Sequence, residues 1–106
     1  MKSARSKATD IPKAVKMAVY ERDGGTCVIC GKRGFPNAHY ISRQRGGLGV
    51  ERNIVTLCRE CHYAYDFGNA AQREACKYII KEYLVLKYPD LNEKELIFRK
   101  WSDFNE

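Results

Sequence analysis

The sequence predicts a small α+β domain built around a metal site, and three observations support this. Two Cys-x-x-Cys pairs, Cys27 with Cys30 and Cys58 with Cys61, bracket a segment with strand-like alternation. Apolar residues recur at helical spacing on both sides of that segment. At 106 residues the chain has the size of one domain, and such a chain gains stability from a metal staple.

The start of the chain is basic and polar. Residues 1–9 contain no apolar stretch, which predicts a flexible N-terminal tail that either contacts phosphate or aids solubility. The missing apolar stretch also argues against a secretory signal, and therefore against disulfides. No run of about 18 apolar residues occurs, so we expect a cytoplasmic protein without a membrane span.

The first helix is predicted to begin at Asp10, with Pro12 in its first turn, and to end at the glycines 24–25. After the first cysteine pair, residues 37–42 alternate between apolar and polar side chains and predict a strand. The first helix is predicted to pack against the loop that carries the first cysteine pair.

The core of the domain is predicted to span about residues 37–68. Residues 46–49 are glycine-rich and indicate a flexible turn, and residues 53–57 favour a second strand or extended segment. Residues 59–67 have no breaker before Gly68 and predict a short helix. The order is strand, loop, strand, helix within a single domain of residues 10–106.

The remaining chain, about residues 69–104, is predicted to form scaffold helices. A long helix stops before Pro89, and Asn92 with Glu95 indicates a capping box for a last helix. The apolar face of this last helix comes from Leu96, Ile97 and Trp101.

The four paired cysteines predict a structural zinc site. Two residues between the members of a pair let both thiolates reach one tetrahedral centre, and two pairs complete its coordination. Thiolates favour zinc, although rubredoxin-like iron fits the same spacing. Free cysteines or disulfides are the alternative, and the fifth cysteine, Cys76, is better interpreted as a buried free thiol on a helix.

A second group of polar residues lies between and beside the cysteines. His62 and Asp66 are four apart on one helix face and could hold a divalent cation, with other positions left to water and phosphate. His39 could take a proton from an attacking water, and Asn53 could fix the ring of His39 or its strand. Taken singly, each also fits an ordinary role: a surface or zinc-bound histidine, a turn asparagine, or a solvated carboxylate.

Residues 38–43, AHYISR, and residues 46–62, GGLGVERNIVTLCRECH, together resemble the signature of the HNH endonucleases. The four-cysteine variety of this family is common among phage and bacterial nucleases. The resemblance covers about residues 19–68. It implies a ββα-metal (His-Me finger) fold and hydrolysis of DNA phosphodiesters, leaving 5′-phosphate and 3′-hydroxyl ends.

The resemblance also implies roles for individual residues. His39 corresponds to the general base, Asn53 to the asparagine that orients it, and His62 to a ligand of a single catalytic Mg²⁺, Mn²⁺, Ni²⁺ or Zn²⁺. Asp66 falls where some members have a further ligand. Many members have Asp or His immediately before the base; here Ala38 cannot ligate. We therefore expect the site to depend on His62 and Asp66.

The charge balance favours a polyanionic partner. Nineteen Lys and Arg against thirteen Asp and Glu give +6, and four thiolates around a divalent cation would leave about +4. Arg43, Arg45 and Arg52 are predicted to contact DNA phosphates, although a solvated basic loop is the alternative. The expected partner is DNA, most plausibly double-stranded, with a larger phage or DNA-processing machine as a further candidate.

Two other functions compete with the endonuclease. The first is a zinc-stabilised nucleic-acid-binding module with a degenerate active site. The second is a protein-interaction domain, against which the basic balance argues. Nicking of plasmid DNA separates the endonuclease from both.

Overall fold

The computed structural model describes residues 2–99, and within them it confirms the α+β class. The helices are Ala4–Thr9 (α1), Lys13–Arg22 (α2), Arg59–Phe67 (α3) and Ala70–Lys87 (α4). The strands are Phe35–His39 (β1) and Ile54–Leu57 (β2). Short 3₁₀ turns occur at Arg43–Arg45, Glu51–Asn53 and Glu93–Leu96.

The two strands form an antiparallel pair, and His39 lies at the end of the pair next to the connecting segment of residues 40–53. Ala38 lies opposite Val55 and His39 lies opposite Ile54, with a bulge between Phe35 and Ala38. Successive side chains of a strand point to opposite faces. Ala38 is therefore fully buried in the core, while His39 remains half-buried.

The hydrophobic core lies between this strand pair and the long helix α4. All four residues of β2 are buried, and α2 packs on the strand pair while α3 packs on α4. A capping box of Asn69 and Gln72 starts α4 directly after α3 ends. The main buried side chains of this core are Ala38, Tyr40, Ile41, Val55, Leu57, Ile80, Leu84 and Leu96, with Cys27 and Cys58.

A buried carboxylate joins α2, β2 and α4. Asp23 accepts hydrogen bonds from Arg22, from the hydroxyl of Tyr83 and from the backbone N–H of Thr56. Burial alone would raise the pKa of Asp23, but the hydrogen bonds from Arg22 and Tyr83 hold it below its ordinary value. The ionised Asp23 thus fixes β2, and with it the start of α3, against the scaffold.

The prediction of a flexible tail over residues 1–9 is wrong for Ala4–Thr9, which form α1. Ser3 caps this helix by accepting from the N–H of Ser6 at 3.1 Å. Thr9 is buried, and the N–H of Gly49 donates to the carbonyl of Ala8 at 3.0 Å. The cap at Ser3 and the contact with Gly49 therefore stabilise a helix here despite the polar composition of the segment.

The glycine-rich turn of residues 46–49 is where α1 docks. A Cβ on Gly49 would lie 1.9 Å from the carbonyl oxygen of Asp10, and one on Gly47 would lie 1.6 Å from the carbonyl oxygen of Ile41. Glycine is required at these positions because the backbone of other segments approaches closely. The sequence-based explanation, flexibility of the turn, was therefore wrong.

Asp10 ends α1 instead of capping α2, whose N-cap is Pro12. The first strand is Phe35–His39, so it begins two residues earlier and ends three residues earlier than predicted, because the chain bends at Tyr40. Helices α3 and α4 occur where the sequence predicts them.

The predicted last helix is wrong in the described part of the chain, where only the 3₁₀ turn Glu93–Leu96 forms. Asn92 accepts from the N–H of Lys94, so the predicted capping box is not made, and Ile97 pairs with Gly47 in an isolated bridge. Trp101 lies outside the described residues.

Candidate active site

The two cysteine pairs converge on one point at the base of α3. The sulfur atoms of Cys27, Cys30, Cys58 and Cys61 all lie within 4.8 Å of one another, and those of Cys30 and Cys58 are 3.5 Å apart. A tetrahedral centre with Zn–S bonds of about 2.3 Å requires sulfur atoms about 3.8 Å apart. The four side chains therefore fit a zinc ion and fill its coordination sphere.

The environment of the thiols supports a bound cation. Burial and the neighbouring thiols raise the pKa of Cys61. Burial would also raise the pKa of Cys27, but backbone hydrogen bonds at Cys30 and Cys58 lower it to about 7. Four thiolates this close repel one another, and a divalent cation offsets that repulsion.

His39 is held by a contact that the sequence did not indicate. Its Nε2 lies 2.8 Å from the backbone carbonyl oxygen of Thr9 in α1. A carbonyl oxygen only accepts hydrogen bonds, so Nε2 carries the proton and donates it. The neutral ring is thereby left with Nδ1 as a free acceptor.

The surroundings of His39 keep this ring neutral. Burial lowers the pKa of His39, and the positive charge of Arg43 lowers it further, while the hydrogen bond to Thr9 raises it. The net pKa lies below the ordinary value for imidazole. At neutral pH His39 is therefore ready to accept a proton.

His62 and Asp66 lie one turn apart on α3, with Nε2 and Oδ2 separated by 3.1 Å. The hydroxyl of Tyr65 donates to the carbonyl of Tyr40, which fixes α3 to the chain just after His39. An imidazole and a carboxylate in this arrangement suit a divalent cation and leave its other positions to water and phosphate.

Among residues 2–99, no third Cys, His, Asp or Glu side chain joins His62 and Asp66 in a compact group of metal-ligand atoms. Within residues 2–99, the cysteine cluster is the one group of three or more Cys, His, Asp or Glu side chains whose ligand atoms come within 4.8 Å. Ala38 supplies no ligand and is fully buried in the hydrophobic core. A third protein ligand is therefore absent at that position, as the sequence indicated.

Asn53 holds the loop after β1 and not the ring of His39. It is fully buried, and its Oδ1 accepts from the N–H of Ile41 at 2.8 Å. Its Nδ2 donates to the carbonyls of Ile41 at 3.1 Å and Leu48 at 2.8 Å. The two roles considered from the sequence were to fix the ring of His39 or its strand. The side chain of Asn53 instead bonds the loop that continues from β1.

His39, His62 and Asp66 line one open cleft of about 660 Å³. Asp10 lies there too, and its carboxylate accepts from Arg43 at 2.5 Å and from Lys2. Those two hydrogen bonds lower the pKa of Asp10. The basic side chains that line the cleft are Lys2, Lys16 and Arg43. The cleft therefore brings together a neutral imidazole, a His–Asp pair and basic side chains.

The three predicted phosphate contacts occupy different positions. Arg43 lines the cleft, and Arg45 lines an adjoining groove that also includes His39 and Asp66. Arg52 lies elsewhere: its Nη1 is 3.1 Å from Asp90 Oδ2, and its guanidinium stacks 5.0 Å from the ring centre of Tyr88. Arg43 and Arg45 therefore lie near His39 and Asp66, whereas Arg52 lies with Asp90 and Tyr88.

Sequence reasoning missed Lys2 and Asp10, which flank α1, and Lys16 in α2 as residues that line the cleft. It also missed the contact between Thr9 and His39. A weak signal was present, because Ser3 followed by good helix formers is typical of a helix start. Nothing in the sequence indicated that the carbonyl of Thr9 would meet His39.

An antiparallel pair of strands followed by a helix, with a histidine on the first strand and a histidine and an aspartate on the helix lining the same cleft, is consistent with a ββα-metal domain. Residues 27–66 match the family model described as HNH endonuclease. The match and the cysteine cluster confirm the HNH resemblance for this segment.

Comparison with curated proteins and with solved structures found no match. Among the described helices, none is long and apolar enough to cross a membrane. The function proposed below therefore depends on the family match and on the geometry of the cleft.

Proposed function

We propose that this protein is a metal-dependent DNA endonuclease that hydrolyses phosphodiester bonds to 5′-phosphate and 3′-hydroxyl products. The HNH family points to nuclease activity in general. The observation that carries the finer proposal is the hydrogen bond from His39 to Thr9, which presents a neutral imidazole in the same cleft as His62 and Asp66.

In the proposed mechanism, Arg43 and Lys16 attract a DNA phosphate into the cleft. The free Nδ1 of His39 takes a proton from a water molecule as that water attacks phosphorus. Thr9 holds the ring and Asn53 holds the loop that continues from its strand, so little reorganisation is needed at the moment of reaction.

His62 and Asp66 would hold the catalytic divalent cation. When bound, that cation supplies Lewis-acid stabilisation of the negative charge on the phosphate and on the departing 3′ oxygen. The four-cysteine cluster would hold a second metal, zinc. Four thiolate ligands would leave that ion no open position for substrate, so its role would be to stabilise the fold.

Relaxation of supercoiled plasmid tests the proposal. We expect the wild-type protein to nick or linearise plasmid with at least one of Mg²⁺, Mn²⁺, Ni²⁺ and Zn²⁺, and to require that added ion. Binding of plasmid without nicking in all four ions would contradict the endonuclease proposal. It would support the DNA-binding module with a degenerate active site, because only His62 and Asp66 are available to hold the catalytic cation.

Asp66→Ala should weaken binding of the catalytic cation by about tenfold or more, because it removes one of two protein ligands. Titration of Mn²⁺ by electron paramagnetic resonance measures this directly. The zinc content should remain one per chain, since Asp66 is no part of the cysteine cluster.

Glu82→Ala is the matched control, because Glu82 is an exposed carboxylate on α4 and lines no part of the cleft. Equal Mn²⁺ affinity in the two variants would show that Asp66 is not a ligand.

Deletion of residues 2–9 should lower kcat by about tenfold to a hundredfold, because the base remains but loses the carbonyl that orients it. The double substitution Lys2→Ala with Lys7→Ala removes charge from the same segment and keeps Thr9. This control should change mainly KM and its salt dependence.

Single-turnover and steady-state cleavage separate the two effects. A deletion that lowers kcat no more than the double substitution would refute the positioning role of Thr9.

A further inference from the structure

Three large aromatic side chains lie exposed beside the cleft. Phe35 is 52% exposed, Tyr63 66% and Phe67 72%. Tyr63 and Phe67 are one turn apart on α3, with ring centres 5.2 Å apart and planes tilted by 49°. Together with Arg59 these rings line a groove of about 460 Å³, which we name the aromatic groove.

The aromatic groove is continuous with the cleft that holds the candidate active site. Both are lined by Asn37, His62, Asp66 and Phe67. A nucleic-acid strand with one phosphate at His62 and Asp66 therefore places a neighbouring nucleotide against the aromatic groove.

The exposed rings have no evident role in the fold. Each leaves more than half of its surface in water, whereas the core is filled by other side chains. An exposed ring offers a flat face on which a nucleobase can stack, and every base has such a face. The nearby guanidinium of Arg59 complements the phosphate of the same nucleotide.

Stacking of this kind needs a base whose face is free. In an intact duplex both faces of each base are covered by its neighbours, and proteins reach only the edges. A base becomes available in a single strand, at a frayed or nicked end, or at a branch.

We propose that the aromatic groove binds an unstacked nucleobase adjacent to the scissile phosphate, so that the preferred DNA is single-stranded or locally unpaired at the cut. This inference rests on the proposed function for the place of the phosphate. An apolar peptide is the less favoured occupant, since it offers no anionic group to the guanidinium of Arg59.

Oligonucleotide binding tests the groove without any cleavage. Tyr63→Ala and Phe67→Ala are each expected to weaken binding of fluorescein-labelled oligo-dT by about tenfold, measured by anisotropy without added divalent metal. Binding of a hairpin duplex should change by less than about twofold. Tyr63→Phe keeps the ring and should bind like the wild type.

Tyr78→Ala is the matched control, because Tyr78 is also 66% exposed but lies on α4 outside the groove. If Tyr63→Ala and Phe67→Ala bind oligo-dT as tightly as this control, the groove does not hold a base. Equal weakening on the single strand and the duplex would overturn the claim of an unstacked base and indicate a wedge into paired DNA.

The two proposals fail separately. If the wild type nicks no DNA with any metal, yet the groove variants lose oligo-dT binding, the endonuclease proposal is wrong and the assignment of the aromatic groove is retained. If the wild type cleaves DNA and the groove variants bind and cut a flapped substrate unchanged, the endonuclease stands and the groove assignment is wrong.

Discussion

Cys58→Ser will release the bound zinc and abolish cooperative folding of the domain. Cys58 is buried in the core, and its sulfur accepts from the N–H of Cys61 as the cap of α3. Structural zinc contributes about 10–16 kcal/mol to small metal domains. A domain of this size has a net stability of only about 5–15 kcal/mol, so loss of the metal leaves no stable folded state.

Metal analysis by mass spectrometry and thermal melting by circular dichroism measure this effect. Cys76→Ser is the matched control, because Cys76 is a half-buried thiol on α4 outside the cluster. It should retain one zinc per chain and a sharp melt. A Cys58→Ser protein that melts cooperatively at the wild-type temperature would show that the metal does not hold the fold.

His39→Ala will reduce DNA cleavage by about 10²–10⁴-fold while leaving the zinc content and DNA affinity unchanged. The substitution removes the proton acceptor from the cleft, but the cysteine cluster and the basic side chains remain. Plasmid nicking at saturating protein measures the rate, and anisotropy with a labelled duplex measures affinity.

Asn37→Ala is the control from the same strand, since Asn37 also lines the cleft but cannot act as a base at neutral pH. It should keep most of the cleavage rate. Wild-type nicking by His39→Ala would remove His39 from the mechanism, and another proton acceptor would have to be found.

The parts of the fold that follow from short-range patterns were predictable. The spacing of the cysteine pairs indicated the metal cluster, and the breaker at Gly68 fixed the end of α3. The change in composition at Asn69 and the breaker Pro89 likewise bounded α4 to within two residues. In each case the determining residues lie next to the element they define.

The parts that depend on distant contacts were not predictable. The carbonyl of Thr9 meets His39 thirty positions away, and a backbone carbonyl leaves no signature in the sequence. Arg43 and Arg52 look alike in the motif, yet one lines the cleft and the other pairs with Asp90. The two arginines are distinguished by their tertiary partners, which their spacing in the sequence does not reveal.

The dependence of His39 on the carbonyl of Thr9 has a practical consequence for recombinant work. A purification tag joined ahead of Ser3 lies within two helical turns of that carbonyl. Crowding or tension from the tag at α1 would be transmitted to the imidazole. Rates should therefore be compared between protein with an intact N-terminal tag and the same protein after its proteolytic removal.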